Sequence, residues 1–250
     1  MDKDEQTKLD HQKEKYSKQY KDYMKFHGTF YSQKYRDIFM RDRIFSFNLS
    51  GKKVLDAMCA YGTETEYLIK KGAIVTGLDI SVENAHLYQE TWKLKCKVGS
   101  VHKIDFPNES FDVVYVCGGL HHVLYLLDDV IKEIHRILKP GGYFCFVEPN
   151  QNTWVNFFRK IWYRLDKRFT EDENAINYQK TLKPFLKLGY KEKFLEYGGG
   201  IGYILFVQSM ILRIPESLKK IFWKPVCFLE KKHHGKSTGL FFLATWQKTK

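Results

Sequence analysis

Asp56 and Asp79 each close an apolar run that turns at once into a helix-like pattern, VLDAMCAYG and then IVTGLDIS. An acid placed after the second such strand, about 20 residues beyond the first turn, can accept hydrogen bonds from both hydroxyls of a ribose. Its structural alternative is to cap the helix that begins at Ser81. Further along, His121 and His122 follow the run FDVVYVCGG, and Glu148 and Asn150 follow YFCFV. An imidazole titrates near neutral pH and can take a proton from an attacking nucleophile, so His121 and His122 are candidate catalytic bases. A carboxylate and an amide at the neighbouring strand end can bind hydroxyls or amines, which makes Glu148 and Asn150 candidate substrate ligands. The second histidine could equally start the next helix or pack beneath the sheet, and Glu148 could cap the segment that follows.

Positioning these side chains together requires elements that end at one edge. From Lys53 onward, apolar β-rich runs alternate with helical patterns: KVLDAM, a helix over 62–71, AIVTGLD, a helix over 81–92, KCKVGS, FDVVYVC, a helix over 124–138, and YFCFVEP. Such alternation implies a parallel sheet with crossover helices, whose ligand edge lies at the carboxyl ends of the strands. Gly72 stands where a C′ glycine closes a helix, Ser81 where an N-cap opens one, and Pro140, Gly141 and Gly142 punctuate between a helix and the next strand.

The flanks read differently. Residues 1–48 carry Tyr16, Tyr20, Tyr23, Tyr31, Tyr35 and Phe39 at helical spacing, a cap whose tyrosines either close over a ligand or pack as core. Beyond residue 150 we expect helices over 153–165 and 175–188, strands over 194–197 and 240–246, and between them an insertion at about 202–239. That insertion mixes Phe206, Met210, Ile211, Leu218, Phe222 and Phe228 with lysines, which suits an amphipathic helix over a hydrophobic substrate or on an anionic lipid or membrane surface, or else a helix pair that roofs the substrate cavity or forms a dimer contact. We read one domain: a cap at 1–48, a core at 49–150 and a substrate-side half at 151–250.

Composition narrows the class. With 250 residues, 44% hydrophobic and 16% aromatic, the chain can build a core and is unlike a disordered or collagenous sequence. The net charge of +12 is concentrated in residues 151–250, where 19 Lys and Arg face 8 Asp and Glu. A basic face of this kind attracts an anionic partner or is simply a solvated surface. The five cysteines, with no Cys-x-x-Cys pair, read as reduced core thiols, and His233 and His234 stand in a lysine-rich, solvated stretch without ligand spacing, so no metal site is expected. The charged N-terminus lacks a secretory apolar region, and the stretch at 198–214 is too short and polar to span a bilayer. These features imply a cytoplasmic protein, with a peripheral place at the inner face of a membrane as the variant that the insertion suggests.

A dinucleotide fingerprint would need glycines where Met58, Ala60 and Thr63 stand, which excludes a nicotinamide cofactor. The ordered series VLDAMCAYG, GLDIS, KVGSVHKIDFPNESFDVVYVCGGLHHV and IKEIHRILKPGGYFCFVEPN instead resembles the class I S-adenosylmethionine-dependent methyltransferases, in particular their small-molecule and lipid branch. The resemblance covers about residues 50–150. It implies an α/β fold, a Rossmann-like, doubly wound, mostly parallel seven-stranded sheet with helices on both faces, an N-terminal helical cap and a C-terminal helical insertion.

It also implies S-adenosyl-L-methionine as cofactor, with S-adenosyl-L-homocysteine as product. Asp56, Ala57, Met58 and Gly62 would hold its methionine part, Asp79 its ribose and Ile80 its adenine, with Ser100 and Val101 at the adenine edge and Cys117 and Gly118 below the sulfonium. The implied reaction is methyl transfer to an O, N or C atom of a small molecule, such as a lipid-linked or glycan intermediate. The family's first loop has glycines where this chain has Met58 and Ala60, and a side chain as large as Met58 requires a different φ or projects towards the cofactor. That departure motivates a second reading, a non-catalytic cofactor-binding or scaffold protein. An RNA methyltransferase is the third, favoured by the basic C-terminal half. Against it stand the lack of an Asn-Pro-Pro-Tyr-like tetrapeptide and of any recognisable RNA-binding module, so a nucleic-acid partner is not expected.

Overall fold

The computed structural model describes residues 28–157, 174–207 and 214–249, together with Thr7 and Asp10. Its centre is a seven-stranded sheet in the order β3-β2-β1-β4-β5-β7-β6. The strands are β1 (Lys53–Ala57), β2 (Ile74–Asp79), β3 (Cys96–Val98), β4 (Phe111–Cys117), β5 (Leu138–Pro149), β6 (Tyr190–Gly198) and β7 (Phe241–Lys248). β1 to β5 pair in parallel, and β7 inserts antiparallel between β5 and β6. The strand order reverses direction at β1 and β4, where doubly wound sheets open a crevice for ligands.

The continuous apolar runs follow from burial on both faces. Along β4, Val114 and Val116 face one core with Leu55, Phe144, Phe146 and Trp246, while Val113 and Tyr115 face the other with Val54, Cys145 and Leu243. Helix α4 (Leu127–Ile137) covers the first face through Val130, Ile131, Ile134 and Ile137. On the second face lie α1 (Phe30–Arg36), its continuation through a π turn at Asp37–Arg41 and a last turn at Asp42–Ile44, and α2 (Thr65–Lys70). Tyr35, Phe39, Met40 and Ile44 fill this layer, and α5 (Glu216–His233) adds Val226.

Local signals match in part. Ser81 caps α3 (Val82–Trp92) by accepting a hydrogen bond from the Asn84 N–H, and Gly72 follows α2 with a φ of +79°. α2 begins at Thr65 rather than Gly62, because residues 59–64 form turns against β2. Pro140, Gly141 and Gly142 do not precede β5 but interrupt it: Phe111 pairs with Leu138 and Val113 with Tyr143, so the intervening residues bulge out of a strand that has already begun.

The expected helix over 175–188 is replaced by a bridge from Ile176 to Asn150, a π turn at Tyr178–Leu182 and 3₁₀ turns at Lys183–Leu188. Pro184, which has no N–H to donate, sits where a regular helix would have continued. His234 is another correction: it lies inside, stacked on Phe39 and hydrogen-bonded to Glu196, which also pairs with Arg43 at 2.5 Å. Cys59 and Cys96, distant in sequence, bring their sulfurs to 3.6 Å. Tyr16, Tyr20, Tyr23, Met210, Ile211 and most of the helix expected over 153–165 lie outside the described residues. Among the described residues no helix is long and apolar enough to cross a membrane.

Candidate active site

The turn after β1 is built on left-handed backbone. Met58 and Ala60 have φ of 57° and 47°, and Gly62 has 88°. Non-glycine residues resist this region by about 1–2 kcal/mol each, yet the loop holds it because Cys59 N–H donates to Leu78 O and Ala60 N–H donates to Asp79 Oδ2. Met58 therefore keeps the conformation a glycine would adopt, and its bulk lies against Gly119, where an added Cβ would come within 2.6 Å of its sulfur. Gly62 serves packing rather than ligand approach. A Cβ there would stand 2.3 Å from the indole nitrogen of Trp92, which donates to Tyr61 O.

A cavity opens between this turn and the ends of β2, β3 and β4. Asp56, Met58, Asp79, Ile80, Ser100, Val101, Cys117, Gly118 and His122 all line it, so the edges of four strands meet as the spacing predicts. Asp79 accepts from Ala60 N–H on one oxygen and from Ser81 N–H at 2.9 Å on the other, with Asn84 Nδ2 at 3.4 Å. Asp79 thus anchors two loops while its side chain borders the cavity. Burial raises its pKa above the ordinary carboxylate value, an effect those backbone donors partly offset.

Asp56 accepts from Thr65 Oγ1 at 2.7 Å through Oδ2. Its other oxygen has no hydrogen-bond partner among the described residues. Burial pushes its pKa up to about 7, and the Thr65 hydroxyl only partly counters this. A cation in the cavity would reverse that shift. Burial also pushes the Cys117 thiol up to about 12, which keeps it protonated and unsuited to nucleophilic attack at neutral pH.

One wall was not visible in the sequence. Glu64 receives Arg41 Nε at 2.7 Å, Arg36 Nη1 at 3.1 Å and the Tyr115 hydroxyl at 3.3 Å, all buried. Burial alone would raise the Glu64 pKa, but the two guanidiniums outweigh it and hold it at about 2. Arg36 and Glu64 both line the cavity, so α1 supplies a cationic group to it. The aromatic periodicity of this helix pointed to a cap; its arginines carried no pattern that marked them.

The histidine pair divides. His122 lines the cavity, whereas His121 is buried with Nδ1 2.8 Å from Glu148 Oε2. Glu148 also accepts from the Gly119 and Leu120 N–H groups at 2.9 and 2.7 Å. It is only 1% exposed and does not line the cavity, so the expected substrate ligand is a clasp that holds the loop after β4. Asn150 is likewise buried, donating to Ser237 O and Gly239 O, which ties β5 to the approach to β7. Ala57 is core, in the last position of β1. Five of the expected site residues, Ala57, Gly62, His121, Glu148 and Asn150, thus stand behind the cavity wall. Among the described residues no three His, Cys, Asp or Glu side chains are grouped to hold a metal ion.

Comparison with known proteins agrees with this geometry. Residues 55–146 match the family model described as a methyltransferase domain. A sterol 24-C-methyltransferase from Gibberella zeae is 42% identical over 106 residues, 39% of this chain and 28% of that protein. A ubiquinone biosynthesis O-methyltransferase from Pseudomonas syringae pv. tomato is 36% identical over 120 residues, 46% of this chain and 51% of the other. The match thus spans about a quarter to a half of these relatives' length. Among solved structures, a SAM-dependent methyltransferase from Archaeoglobus fulgidus superposes with a TM-score of 0.62 at 15% identity, over 90% of this chain and 97% of that one, a likeness of fold. Residues 55–146 thus carry a match to a methyltransferase domain, and the fold around them is the one seen in solved SAM-dependent methyltransferases.

The residues present fit that cofactor. Asp79, a carboxylate at the cavity edge, suits a ribose; the unpartnered Asp56 oxygen suits an ammonium; Arg36 suits a carboxylate; and Ile80 and Val101 offer apolar surface for a purine.

Proposed function

We propose that this chain transfers the methyl group of S-adenosylmethionine to a nucleophilic atom of a small, largely apolar acceptor. The observation that carries this reading is the second oxygen of the Asp56 carboxylate, without a hydrogen-bond partner among the described residues, on a side chain that lines the same cavity as Asp79, Arg36 and His122. The sulfonium of the cofactor supplies an already activated methyl group, so the protein has to align the acceptor and exclude water. His122 faces the cavity after β4 and would take the proton that an O–H or N–H acceptor releases. Its ring lies 3.9 Å from that of His121, which Glu148 holds, so the loop carrying His122 is fixed from behind. Met58, packed on Gly119 beside Cys117, would shape the volume next to the reacting methyl.

An apolar acceptor is supported by the sterol- and ubiquinone-directed names of the relatives and by the aromatic layer around Tyr31, Phe206 and Trp223 near α1. The retained φ of Met58 and Ala60 favours a cofactor-competent loop over a non-catalytic scaffold.

Calorimetric titration with S-adenosylmethionine and S-adenosylhomocysteine is the test, followed by methyl transfer to quinol, sterol and fatty-acid acceptors. Binding of both ligands, with His122→Ala lowering turnover about 100-fold while leaving S-adenosylhomocysteine affinity intact, is the expected result. Absence of binding by the folded protein would sink the reading.

A further inference from the structure

Helix α5 presents three different sides. Lys219, Trp223, Val226 and Glu230 turn inward: the Lys219 ammonium donates to Thr29 Oγ1 at 3.0 Å, and Glu230 accepts from the Tyr35 hydroxyl at 2.5 Å and from the Gly200 and Gly202 N–H groups. On a second side stand Leu218, Ile221, Phe222 and Phe228, which are 43%, 67%, 48% and 60% exposed. A third side carries Lys220, Lys224 and Lys231, all exposed, while Lys232 rises from the apolar side itself, its ammonium 4.5 Å from the centre of the Phe228 ring. At about 100° per residue, the four apolar residues share an arc of about 120°, with the three lysines on a narrower arc beside it.

Large apolar side chains held in water at this density are unfavourable unless something covers them. We propose that this side of α5 lies in the headgroup region of an anionic lipid bilayer, with the apolar arc inserted among acyl chains and the lysines at lipid phosphates. Charge complementarity favours this occupant over a second copy of the chain, which would bring together two segments that each hold 19 Lys and Arg against 8 Asp and Glu. RNA would engage the lysines but has no partner for Leu218 and Ile221.

The contact would also bear on the site, since α5 is tied through Tyr35 to α1, and α1 contributes Arg36 to the cavity wall. In this respect the inference deepens the reading above, placing the cavity beside the phase in which an apolar acceptor dissolves, and it rests on that reading for this step alone.

The test is co-sedimentation of the full chain with vesicles of phosphatidylcholine alone and of phosphatidylcholine mixed with phosphatidylglycerol. The expected result is binding about tenfold or more tighter to the anionic vesicles. We expect it to fall by about tenfold or more in Phe222→Glu/Phe228→Glu and again in Lys220→Ala/Lys224→Ala/Lys231→Ala. S-adenosylhomocysteine affinity, measured on the same variants, should stay at the parent value and reports that they fold. No binding to anionic vesicles overturns the proposal. Binding lost with the lysines but untouched by the phenylalanine pair also overturns it and identifies a general polyanion surface. A dimer at working concentration that Phe228→Glu abolishes overturns it in favour of self-association. A protein that binds vesicles but not S-adenosylhomocysteine would refute the methyltransferase reading and leave the bilayer contact standing.

Discussion

Asp79 and Glu148 occupy corresponding places at the ends of β2 and β5, both almost fully buried, and they do opposite things. Asp79 borders the cavity while it anchors the loops after β1 and β2. Glu148 is surrounded by the N–H groups of residues 119 and 120 and by His121, and it holds protein alone. An acid at a strand end therefore borders the cavity or holds protein alone according to whether a neighbouring loop folds over its carboxylate. The loop after β4 folds over the end of β5 and encloses Glu148, whereas the end of β2 stays open and Asp79 lines the cavity.

Removing each acid should separate the two roles. Glu148→Ala leaves buried backbone donors and His121 unpaired, and we expect a loss of about 3–5 kcal/mol in stability, read by chemical denaturation. Were that variant as stable as the parent, Glu148 would not be a clasp. Asp79→Ala is expected to weaken S-adenosylhomocysteine binding by about 100-fold, the equivalent of one or two hydrogen bonds to a charged acceptor, with a smaller loss of stability from the freed Ala60 and Ser81 N–H groups. Equal affinity in calorimetry would place Asp79 among the structural acids.

Asp56 sharpens the contrast through pH. Its folded pKa, pushed up to about 7 by burial, lies above that of the unfolded chain, so between about pH 4 and 7 the folded state binds the extra proton. Its contribution to stability is thus greatest in acid and declines as pH rises to about 7, with a slope of at most about 1.4 kcal/mol per pH unit. Asp56→Asn should flatten that part of the stability profile of the ligand-free protein, and an unchanged profile would refute the assignment. The smallest effect is expected at Met58. Met58→Gly relieves a left-handed side-chain penalty of about 1 kcal/mol but removes packing on Gly119, so stability should change by no more than about 1 kcal/mol while cofactor affinity shifts.

The sequence disclosed these regions unequally, for physical reasons. β1, β2, β4 and β5 are buried on both faces and announce themselves as unbroken apolar runs, and the cavity residues at their ends follow from topology. Arg36, Arg41 and Glu64 stayed hidden because their pairing joins segments 28 and 23 residues apart, and no local pattern encodes such contacts. Glu148 and Asn150 were misread for a related reason: position at the ligand edge was legible, but the backbone groups that claim them belong to loops whose course the sequence does not specify. Between 175 and 188 helical periodicity was present, yet Pro184 and the bridge to Asn150 broke it into short turns.

The closeness of Trp92 to Gly62 gives the molecule an optical reporter. Its indole nitrogen is hydrogen-bonded to the carbonyl of Tyr61, inside the loop that Asp79 steadies, while Trp246 in β7 is wholly shielded. Any ligand that tightens or displaces the loop must alter the surroundings of the Trp92 excited state, so arrival at the site becomes readable as the change in emission that Trp92→Phe abolishes, without a label and without a turnover assay.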